Sequence, residues 1–305
     1  MKQRWAKLER VAQGKLTPML RQYLEAKSEC PDSILFFRMG DFFEMFFEDA
    51  IEAAELLGLA LTSRDGSDKK ERVPMCGVPF RAAAGYVARL IKAGRTVTIC
   101  DQIEDPKEAK GVVKRAIVRT VTPGTVLEPD LLEETANNYL GALFLRDKKA
   151  GLAFIDVSTG EFLAAQVDAD AERALSDELT RMTPAEVVTP TSLDADLMTR
   201  LRTRFGGTAF TARPDEDFDH ALAKERLIEQ FDLGTLKGVA LEDAPEALAA
   251  AGAALAYVLE TQRDAVPHLR LPRRYSPAGF VVLDGNTQRN LELVESLADG
   301  SKRGT

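Results

Sequence analysis

Phe42 and Glu44 stand two positions apart in residues 33–50, a segment that holds six of the 15 Phe residues of the chain. In an extended strand the side chains alternate, so Phe42 and Glu44 share one face while Phe43 and Met45 take the other. A carboxylate on the same face as an aromatic is unusual in a protein core, because burial of an unpaired charge is costly. The pair is therefore a candidate for chemistry at a surface.

Two interpretations of this pair are open from the pattern alone. In the first, Phe42 is partly covered at a strand edge and Glu44 points to water. In the second, Phe42 is a wedge that enters a base step from the minor groove of DNA, unstacks it and kinks the duplex. The carboxylate then hydrogen-bonds the displaced base, and it disfavours insertion where no base offers a partner.

Composition restricts the class of protein. A length of 305 residues indicates two or more domains, and 45% hydrophobic with 29% charged residues is typical of a soluble globular protein. No apolar run approaches the ~18 residues of a transmembrane helix, and the first residues lack the apolar segment of a signal peptide. Three cysteines without zinc spacing indicate a reducing cytoplasm. Two histidines argue against a histidine-rich metal site or a Ser-His-Asp hydrolase.

The charge is distributed unevenly along the chain. Residues 1–128 carry 21 Lys and Arg against 18 Asp and Glu, a net charge of +3, and the remainder carries −11 of the total of −8. Such asymmetry in charge is compatible with ordinary variation between domains. It is equally compatible with an N-terminal part that binds a polyanion. Phosphate contacts would position the protein without reading sequence. Candidate residues for them are Lys110, Lys114, Arg115 and Arg119.

Strands alternate with helices in the first part of the chain. Thr17 is a plausible N-cap for a first helix, and residues 33–47 predict one aromatic strand. A second helix ends near Gly58, a third ends at Gly94, and two strands follow. This pattern predicts a mixed α/β domain.

A new pattern begins after a segment rich in Pro and Gly. Residues 139–167 predict three strands in an antiparallel meander, followed by a helix and a short strand. Residues 244–262 predict a long Ala-rich helix, and residues 267–277 predict a linker. The last residues begin a strand-to-helix unit whose leucines have little to pack on, which predicts a piece of a longer protein.

Several motifs resemble the bacterial MutS family, in the same order and at similar separations. They are FFRMGDFFEMFFEDA, VPMCGVPFRAAAGYVARLIKAGRTVTICDQIEDP, VKRAIVRTVTPGT, NNYLGAL, FIDVSTGEF, APEALAAAGAALAYVLETQ and LDGNTQRNLEL. The resemblance runs from about Leu16 to the end of the chain. It implies a mixed α/β mismatch-recognition domain over 1–127, a ribonuclease-H-like α/β connector over 128–270, and a truncated start of a helical core domain over 271–305.

The resemblance also implies roles for individual residues. Phe42 matches the intercalating Phe of the family, and Glu44 matches the Glu that hydrogen-bonds the mispaired base. Arg64 and Arg119 match basic positions near DNA. Phe43 stands where the family often has Tyr, and we expect no loss of recognition because it faces away. The flanking residues Arg38, Met39 and Met75 either line the wedge or pack and position its strand.

The implied partner is double-stranded DNA that contains mismatches or short insertion/deletion loops, and no membrane. For the intact protein the resemblance implies a second subunit, a MutL-type repair protein, and a DNA-dependent ATPase whose ATP and Mg sites lie C-terminal to this segment. The chain has no G-x-x-x-x-G-K-[ST], so we expect no enzymatic activity, no cofactor and no metal in it. The expected location is the cytoplasm, in association with the nucleoid.

Two alternatives belong to other classes of function. A ribonuclease-H-like sheet with Asp156 and Glu161 suggests a nuclease, but a two-metal site needs further convergent carboxylates, and no later motif supplies them. The acidic second part also fits a module that binds partner proteins and does not bind DNA by itself.

Overall fold

The computed structural model describes residues 17–64, 73–105, 111–127, 136–168, 170–263, 266 and 268–277. The chain forms two compact units that divide between Thr122 and Pro123. None of the helices in these ranges has both the length and the apolar character that a bilayer span requires. All three cysteines are free thiols, as predicted.

The first unit is an α/β unit with one six-stranded sheet. Its helices and strands are α1 (Pro18–Glu29), β1 (Ile34–Met39), β2 (Phe42–Phe46), α2 (Phe47–Leu57), β3 (Thr62–Arg64), β4 (Val73–Pro79), α3 (Ala83–Lys92), β5 (Val97–Gln102) and β6 (Arg115–Val121). The strand order is β3-β4-β2-β1-β5-β6, and the β1–β5 pair is parallel while the other pairs are antiparallel. The sheet is therefore mixed, and β2 lies inside it, between β1 and β4.

The predicted helix boundaries of this unit are confirmed. The Thr17 hydroxyl accepts a hydrogen bond from the Leu20 N–H at 3.4 Å, which caps α1. Gly58 ends α2 in the left-handed conformation with φ +67°. The Gly94 N–H donates to the Ile91 carbonyl after α3.

The prediction of a single strand over residues 33–47 is wrong. The structure has two strands there, β1 and β2, joined by a two-residue turn at Gly40 and Asp41. Gly40 has φ +58°, a conformation that glycine adopts at little cost, and two-residue turns of this kind match the twist of paired strands. The Gly-Asp pair therefore folds the aromatic segment into a hairpin.

The second unit also contains one six-stranded sheet covered by helices. Its elements are β7 (Tyr139–Arg146), β8 (Lys149–Asp156), β9 (Glu161–Val167), α4 (Ala171–Met182), β10 (Glu186–Pro190), α5 (Ala195–Arg204), β11 (Ala209–Arg213), α6 (His220–Gln230), α7 (Pro245–Gln262) and β12 (Arg273–Arg274). The order is β11-β10-β7-β8-β9-β12. The predicted antiparallel meander β7–β8–β9 is confirmed, and β10 and β11 run parallel to β7, which gives the ribonuclease-H-like arrangement.

The predicted Ala-rich helix is confirmed as α7, and it is buried on nearly all sides. It approaches the sheet so closely that a Cβ on Gly151 would lie 1.8 Å from the Glu246 carbonyl oxygen. On its other side, a Cβ on Gly252 would lie 2.2 Å from the Ala223 Cβ. Glycines at these contacts allow the sheet, α7 and α6 to pack as three layers.

The linker prediction for residues 267–277 is wrong. Within this segment the Arg270 N–H donates to the Gly160 carbonyl, and the Tyr275 N–H donates to the Ala164 carbonyl. β12 pairs with β9 as an edge strand, so this part of the chain belongs to the second sheet. The predicted strand-to-helix unit of the last residues lies outside the described residues.

Candidate nucleic-acid interface

The site is the hairpin formed by β1, the Gly40–Asp41 turn and β2, which we call the Phe42 hairpin. Met39 and Phe42 face each other across the turn, and Phe37 faces Glu44 two positions further along. On the other side of β2, Phe42 lies opposite Pro79 and Glu44 lies opposite Gly77. Strands flank β2 on both sides, so its backbone is fixed in register.

The side chains of β2 alternate in burial as the sequence predicts. Phe42 is 47% exposed, whereas Phe43 is 3% exposed and Met45 is fully buried. Glu44 is half-buried and shares the face of Phe42. Phe43 points to the opposite face, where its ring packs 5.9 Å from that of Phe36. A large aromatic and a carboxylate therefore stand together on a partly open face.

Helix α1 explains why one end of this face is closed. The Tyr23 ring packs edge-on against Phe37 and Phe46, with ring centroids 5.5 and 5.0 Å away. The Tyr23 hydroxyl donates to the Asp49 carboxylate at 3.0 Å, and the Lys27 ammonium lies 2.9 Å from the same carboxylate. Burial is the main cause that raises the pKa of Asp49, and Lys27 opposes it. This network anchors the Phe46 end of β2, while Phe42 stands at the other end.

Arg115 on β6 shapes the charge near Glu44. Its guanidinium lies 5.0 Å from the centroid of the Phe37 ring, and Phe37 is the cross-strand neighbour of Glu44. Burial lowers the pKa of the Arg115 guanidinium, and the negative charge of Glu44 is one of the causes that oppose this shift. The carboxylate of Glu44 therefore sits in the field of a fixed positive charge.

Arg115, one of the candidate phosphate contacts, has a structural role in the first unit. Its guanidinium donates to the Arg38 carbonyl at 2.5 Å, the Val113 carbonyl at 2.7 Å and the Gln22 side chain at 3.2 Å. These bonds engage Nε and Nη1 of the guanidinium inside the unit. The sequence gives no signal for this contact, because it depends on the order β2-β1-β5-β6, which brings an edge-strand arginine back towards the hairpin.

The remaining candidate DNA contacts are not gathered around Phe42. Arg64 ends the outer strand β3 and pairs with Val73, whereas Phe42 pairs with Pro79 at the far end of β4, about 20 Å along the strand. Arg119 is half-buried on β6, three strands from β2, or about 14 Å, and burial lowers its pKa. Lys114 is exposed, and Lys110 lies outside the described residues. The structure thus brings together Phe42 and Glu44, and spreads the basic residues along the sheet.

The carboxylates considered for nuclease chemistry lie in the second unit. Asp156 and Glu161 are opposite each other on β8 and β9. Asp156 is buried and accepts hydrogen bonds from the Ser158 N–H and hydroxyl, and Glu161 accepts the Tyr139 hydroxyl at 2.5 Å. Across the described ranges, no three His, Cys, Asp or Glu side chains cluster in a way that could hold a metal ion. The described residues therefore do not provide the carboxylate set that a two-metal nuclease requires.

Comparisons with known proteins agree with the order of the two units. The family model described as MutS domain I matches residues 17–130, and the one described as MutS domain II matches residues 138–270. The sequence is 47% identical to the DNA mismatch repair protein MutS of Symbiobacterium thermophilum, over 96% of this chain and 34% of that protein. It is 44% identical to the protein of the same name from Desulfatibacillum aliphaticivorans, over 95% of this chain and 32% of that protein. The chain thus spans about a third of the length of these curated relatives. Matches to two consecutive domains of one family, at this level of identity, show that the chain belongs to the MutS family.

Proposed function

We propose that this chain recognises mispaired and unpaired bases in double-stranded DNA and serves DNA mismatch repair. The observation that carries the proposal is the pairing of an exposed Phe42 with a half-buried Glu44 on one face of β2, while the residues between and after them are buried. The name of the curated relatives, DNA mismatch repair protein MutS, supports the same activity.

In this proposal Phe42 is a wedge that enters the duplex from the minor groove. Insertion of an apolar side chain unstacks a base step and kinks the DNA. A mispaired or unpaired step is easier to unstack and bend than a matched one, so the kinked complex forms preferentially there. Stacking of a base on the Phe42 ring would contribute about 1–3 kcal/mol.

Glu44 supplies the second part of the discrimination. Once a base has shifted, the carboxylate accepts a hydrogen bond from it. On a matched duplex the same carboxylate has no base partner and lies near phosphates, and the repulsion between like charges makes that position unfavourable. The nearby Arg115 guanidinium moderates that repulsion, so the Glu44 charge is tolerated on a DNA-binding face.

Basic residues hold the duplex without reading it. We retain Arg64 and Arg119 as phosphate contacts at a distance from the wedge, together with the exposed Lys114. Contacts of this kind release counterions, and the affinity therefore falls steeply with salt. The experiments below require low and constant ionic strength for this reason.

For the whole protein we propose a DNA-dependent ATPase that acts as a dimer with a MutL-type partner, in the cytoplasm at the nucleoid. The ATP and Mg sites would lie in the part of such a protein that follows this segment. The residues of this chain would contribute recognition and, through the second unit, transmission between recognition and the rest of the protein.

The test is fluorescence-anisotropy binding of the 305-residue chain to a duplex with one unpaired T and to its matched twin. We expect the chain to prefer the unpaired T, and Phe42→Ala to lose that preference. Ile51→Ala is the matched control, because Ile51 is 48% exposed and lies on α2 in the same unit. Equal affinity of the unsubstituted chain for both duplexes, combined with capture of repair proteins, would favour the protein-binding module. Metal-dependent cleavage of either duplex would favour the nuclease.

A further inference from the structure

We propose that Arg38 and Phe80 form a brace that fixes the direction of the Phe42 side chain from the opposite face of the sheet. The inference rests on the proposed function, in which Phe42 enters the DNA. Arg38 and Phe80 are positioning residues in it: they act on the backbone that immediately precedes Phe42, and they make no contact with a base.

Arg38 contacts both the aromatic residues behind the hairpin and its turn. Its guanidinium carbon lies 3.4 Å from the centroid of the Phe80 ring and 5.5 Å from that of the Phe43 ring. The Nε–H of Arg38 donates to the Gly40 carbonyl at 2.5 Å. One side chain therefore ties the first residue of the turn to the aromatic layer on the Phe43 face.

Phe80 holds the second residue of the turn. Its backbone N–H donates to the Asp41 carbonyl at 2.8 Å, at the start of the short 3₁₀ turn Phe80–Ala82 that follows β4. Its ring packs 5.6 Å from the Phe43 ring, and the preceding residue, Pro79, is the cross-strand partner of Phe42. The carbonyls of Gly40 and Asp41 are thus each held by a donor from the brace.

The brace accounts for two features that the core does not explain. Phe80 is 43% exposed, and stacking of the Arg38 guanidinium on its ring gives that position a function. Phe42 is 47% exposed, so core packing does not fix its direction. The direction of its side chain depends on the backbone, which the flanking strands and the turn immediately before Phe42 hold in place.

A fixed wedge gains affinity because it loses less conformational freedom on insertion. Sites of this kind depend on supporting residues that hold the contacting residue in the productive geometry. Arginine suits the position because its planar guanidinium stacks on a ring and donates to a carbonyl at the same time. Lysine keeps the charge but lacks the planar guanidinium that stacks on a ring while it donates in a fixed direction. Arg38→Lys is therefore the diagnostic substitution.

The first arm of the test measures the brace without DNA. Trp5 is the one tryptophan of the chain, so Trp5→Phe with Phe42→Trp places a single fluorophore at the tip of the hairpin. We expect Arg38→Lys and Phe80→Leu to increase the fast component of the anisotropy decay of this tryptophan, and Phe80→Tyr to leave it unchanged. Arg89→Lys is the matched control, because Arg89 also lies over an aromatic ring, that of Tyr86 at 6.0 Å, and donates to a carbonyl, that of Leu57 at 2.9 Å.

The second arm measures recognition in chains that retain Phe42 and Trp5. We expect Arg38→Lys and Phe80→Leu to reduce the ratio of affinities for the unpaired-T and matched duplexes about threefold to tenfold, the equivalent of a cation–π contact. Melting curves should show little change, because both side chains are partly exposed. Phe80→Tyr and Arg89→Lys should keep the ratio.

The outcomes separate the brace from the proposed function. An unchanged anisotropy decay in Arg38→Lys would overturn the brace. A faster decay with an unchanged affinity ratio would leave Arg38 a packing residue and overturn its role in recognition. If the unsubstituted chain does not prefer the unpaired T, the proposed function fails for this chain, and the first arm still decides whether the brace fixes residue 42.

Discussion

The two sheets place their aromatic and carboxylate side chains differently. In the second unit the strand residues Phe154 and Phe162 are buried, and the carboxylate of Glu186 on β10 is 1% exposed. That carboxylate accepts hydrogen bonds from the Tyr257 and Thr211 hydroxyls and from the Gly124 N–H. In the first unit the pair Phe42 and Glu44 lies on a partly open face.

This difference separates an enclosed carboxylate from one that lies on a partly open face. Glu186 is enclosed and its oxygens are used by three donors of its own unit. Glu44 is half-buried, it lies two positions after the exposed Phe42, and its immediate neighbours on the strand are core residues. Among the described phenylalanines, the exposed ones are Phe42 and Phe80, at the same hairpin of the first unit. Within the described part of the chain, the exposure of phenylalanine is therefore confined to this part of the first sheet.

The largest expected effect concerns the thiols of the first unit. Their reactivity tests whether this unit is tightly packed, and the exposure of Phe42 distinguishes it from its neighbours only if it is. Burial raises the pKa of Cys76 from 9.0 to about 11 and that of Cys100 to about 12. At pH 8 their thiolate fractions should thus be about 100-fold and 1000-fold lower than in the unfolded chain. We expect alkylation by iodoacetamide to be slowed by at least these factors, as measured by peptide mass spectrometry with and without denaturant.

The same shifts predict the alkaline limit of this unit. The folded-state pKa values lie above the unfolded value of 9.0, so the stabilising contribution is complete below about pH 9 and is lost as the pH rises through about 11 and 12. Replacement of Cys76 and Cys100 by Ala should reduce the alkaline loss of stability. Native thiols that react as fast as denatured ones would show that the first unit is open throughout, and the comparison of the two sheets would collapse.

The next effect contrasts two adjacent phenylalanines. Phe43→Ala removes a buried ring that packs on Phe36 and should lower the free energy of unfolding of the first unit by about 3–5 kcal/mol. Phe42→Ala should lower it by less than about 1 kcal/mol, because the Phe42 ring is half in solvent. Hydrogen exchange of peptides from β1 and β2 measures both values in the unit concerned. A large loss of protection in Phe42→Ala would make it a core residue and would remove the wedge.

The enclosed character of the second sheet is tested at Gly151. In Gly151→Ala the new methyl group would overlap the Glu246 carbonyl, so α7 must move away from the sheet at a cost of about 3 kcal/mol. Gly207→Ala is the control, because no atom lies within 4 Å of a Cβ at that position. Hydrogen exchange of β8 peptides reports the difference. An unchanged exchange rate in Gly151→Ala would mean that the helix and sheet are less tightly packed than they are in the structure.

The sequence predicted the elements of the fold where the signal is local. Helix ends at Thr17, Gly58 and Gly94 follow from capping chemistry, and the meander over 139–167 follows from alternation and turn residues. The prediction merges the two strands of the aromatic segment because each half has a strand-like composition, and the positive φ of Gly40 is a backbone feature that the Gly-Asp pair allows but does not require. The prediction for residues 267–277 lacks the edge strand β12, because a strand of two residues is too short to show alternation of apolar and polar side chains.

For the candidate site, too, the local features were predictable from the sequence and the contacts between distant residues were not. The alternation of Phe42, Phe43 and Glu44 follows from strand periodicity alone. The contact of Arg115 with the Arg38 carbonyl and the stacking of Arg38 on Phe80 do not, because they join residues 77 and 42 positions apart in the sequence and depend on strand order. Non-local contacts of this kind leave no periodic trace in one sequence. The roles of Arg64 and Arg119 in DNA binding stay predictions.

The smallest effect compares the two carboxylates directly. In Glu186→Gln an amide replaces the acceptor group. If its nitrogen takes the place of the oxygen that faces the Gly124 N–H, two donors oppose each other at a cost of about 2 kcal/mol. If the amide turns over, its nitrogen faces the Tyr257 and Thr211 hydroxyls instead. The hydrogen of a hydroxyl can rotate away, so this orientation costs less. Glu44→Gln should change the free energy of unfolding by less than about 0.5 kcal/mol, because the side chain is half in solvent.

Glu44→Gln should act instead on DNA binding. Loss of the negative charge removes repulsion from phosphates, so affinity for the matched duplex should rise, and the preference for the unpaired T should fall without a change in melting. The increase should shrink as salt is added, because screening weakens the same repulsion in the unsubstituted chain. If Glu44→Gln lowers the affinity for both duplexes equally, Glu44 does not discriminate between them, and the first sheet would present a wedge alone. If Glu44→Gln destabilises the first unit as much as Glu186→Gln destabilises the second, both carboxylates are structural. The contrast between the two sheets is then lost.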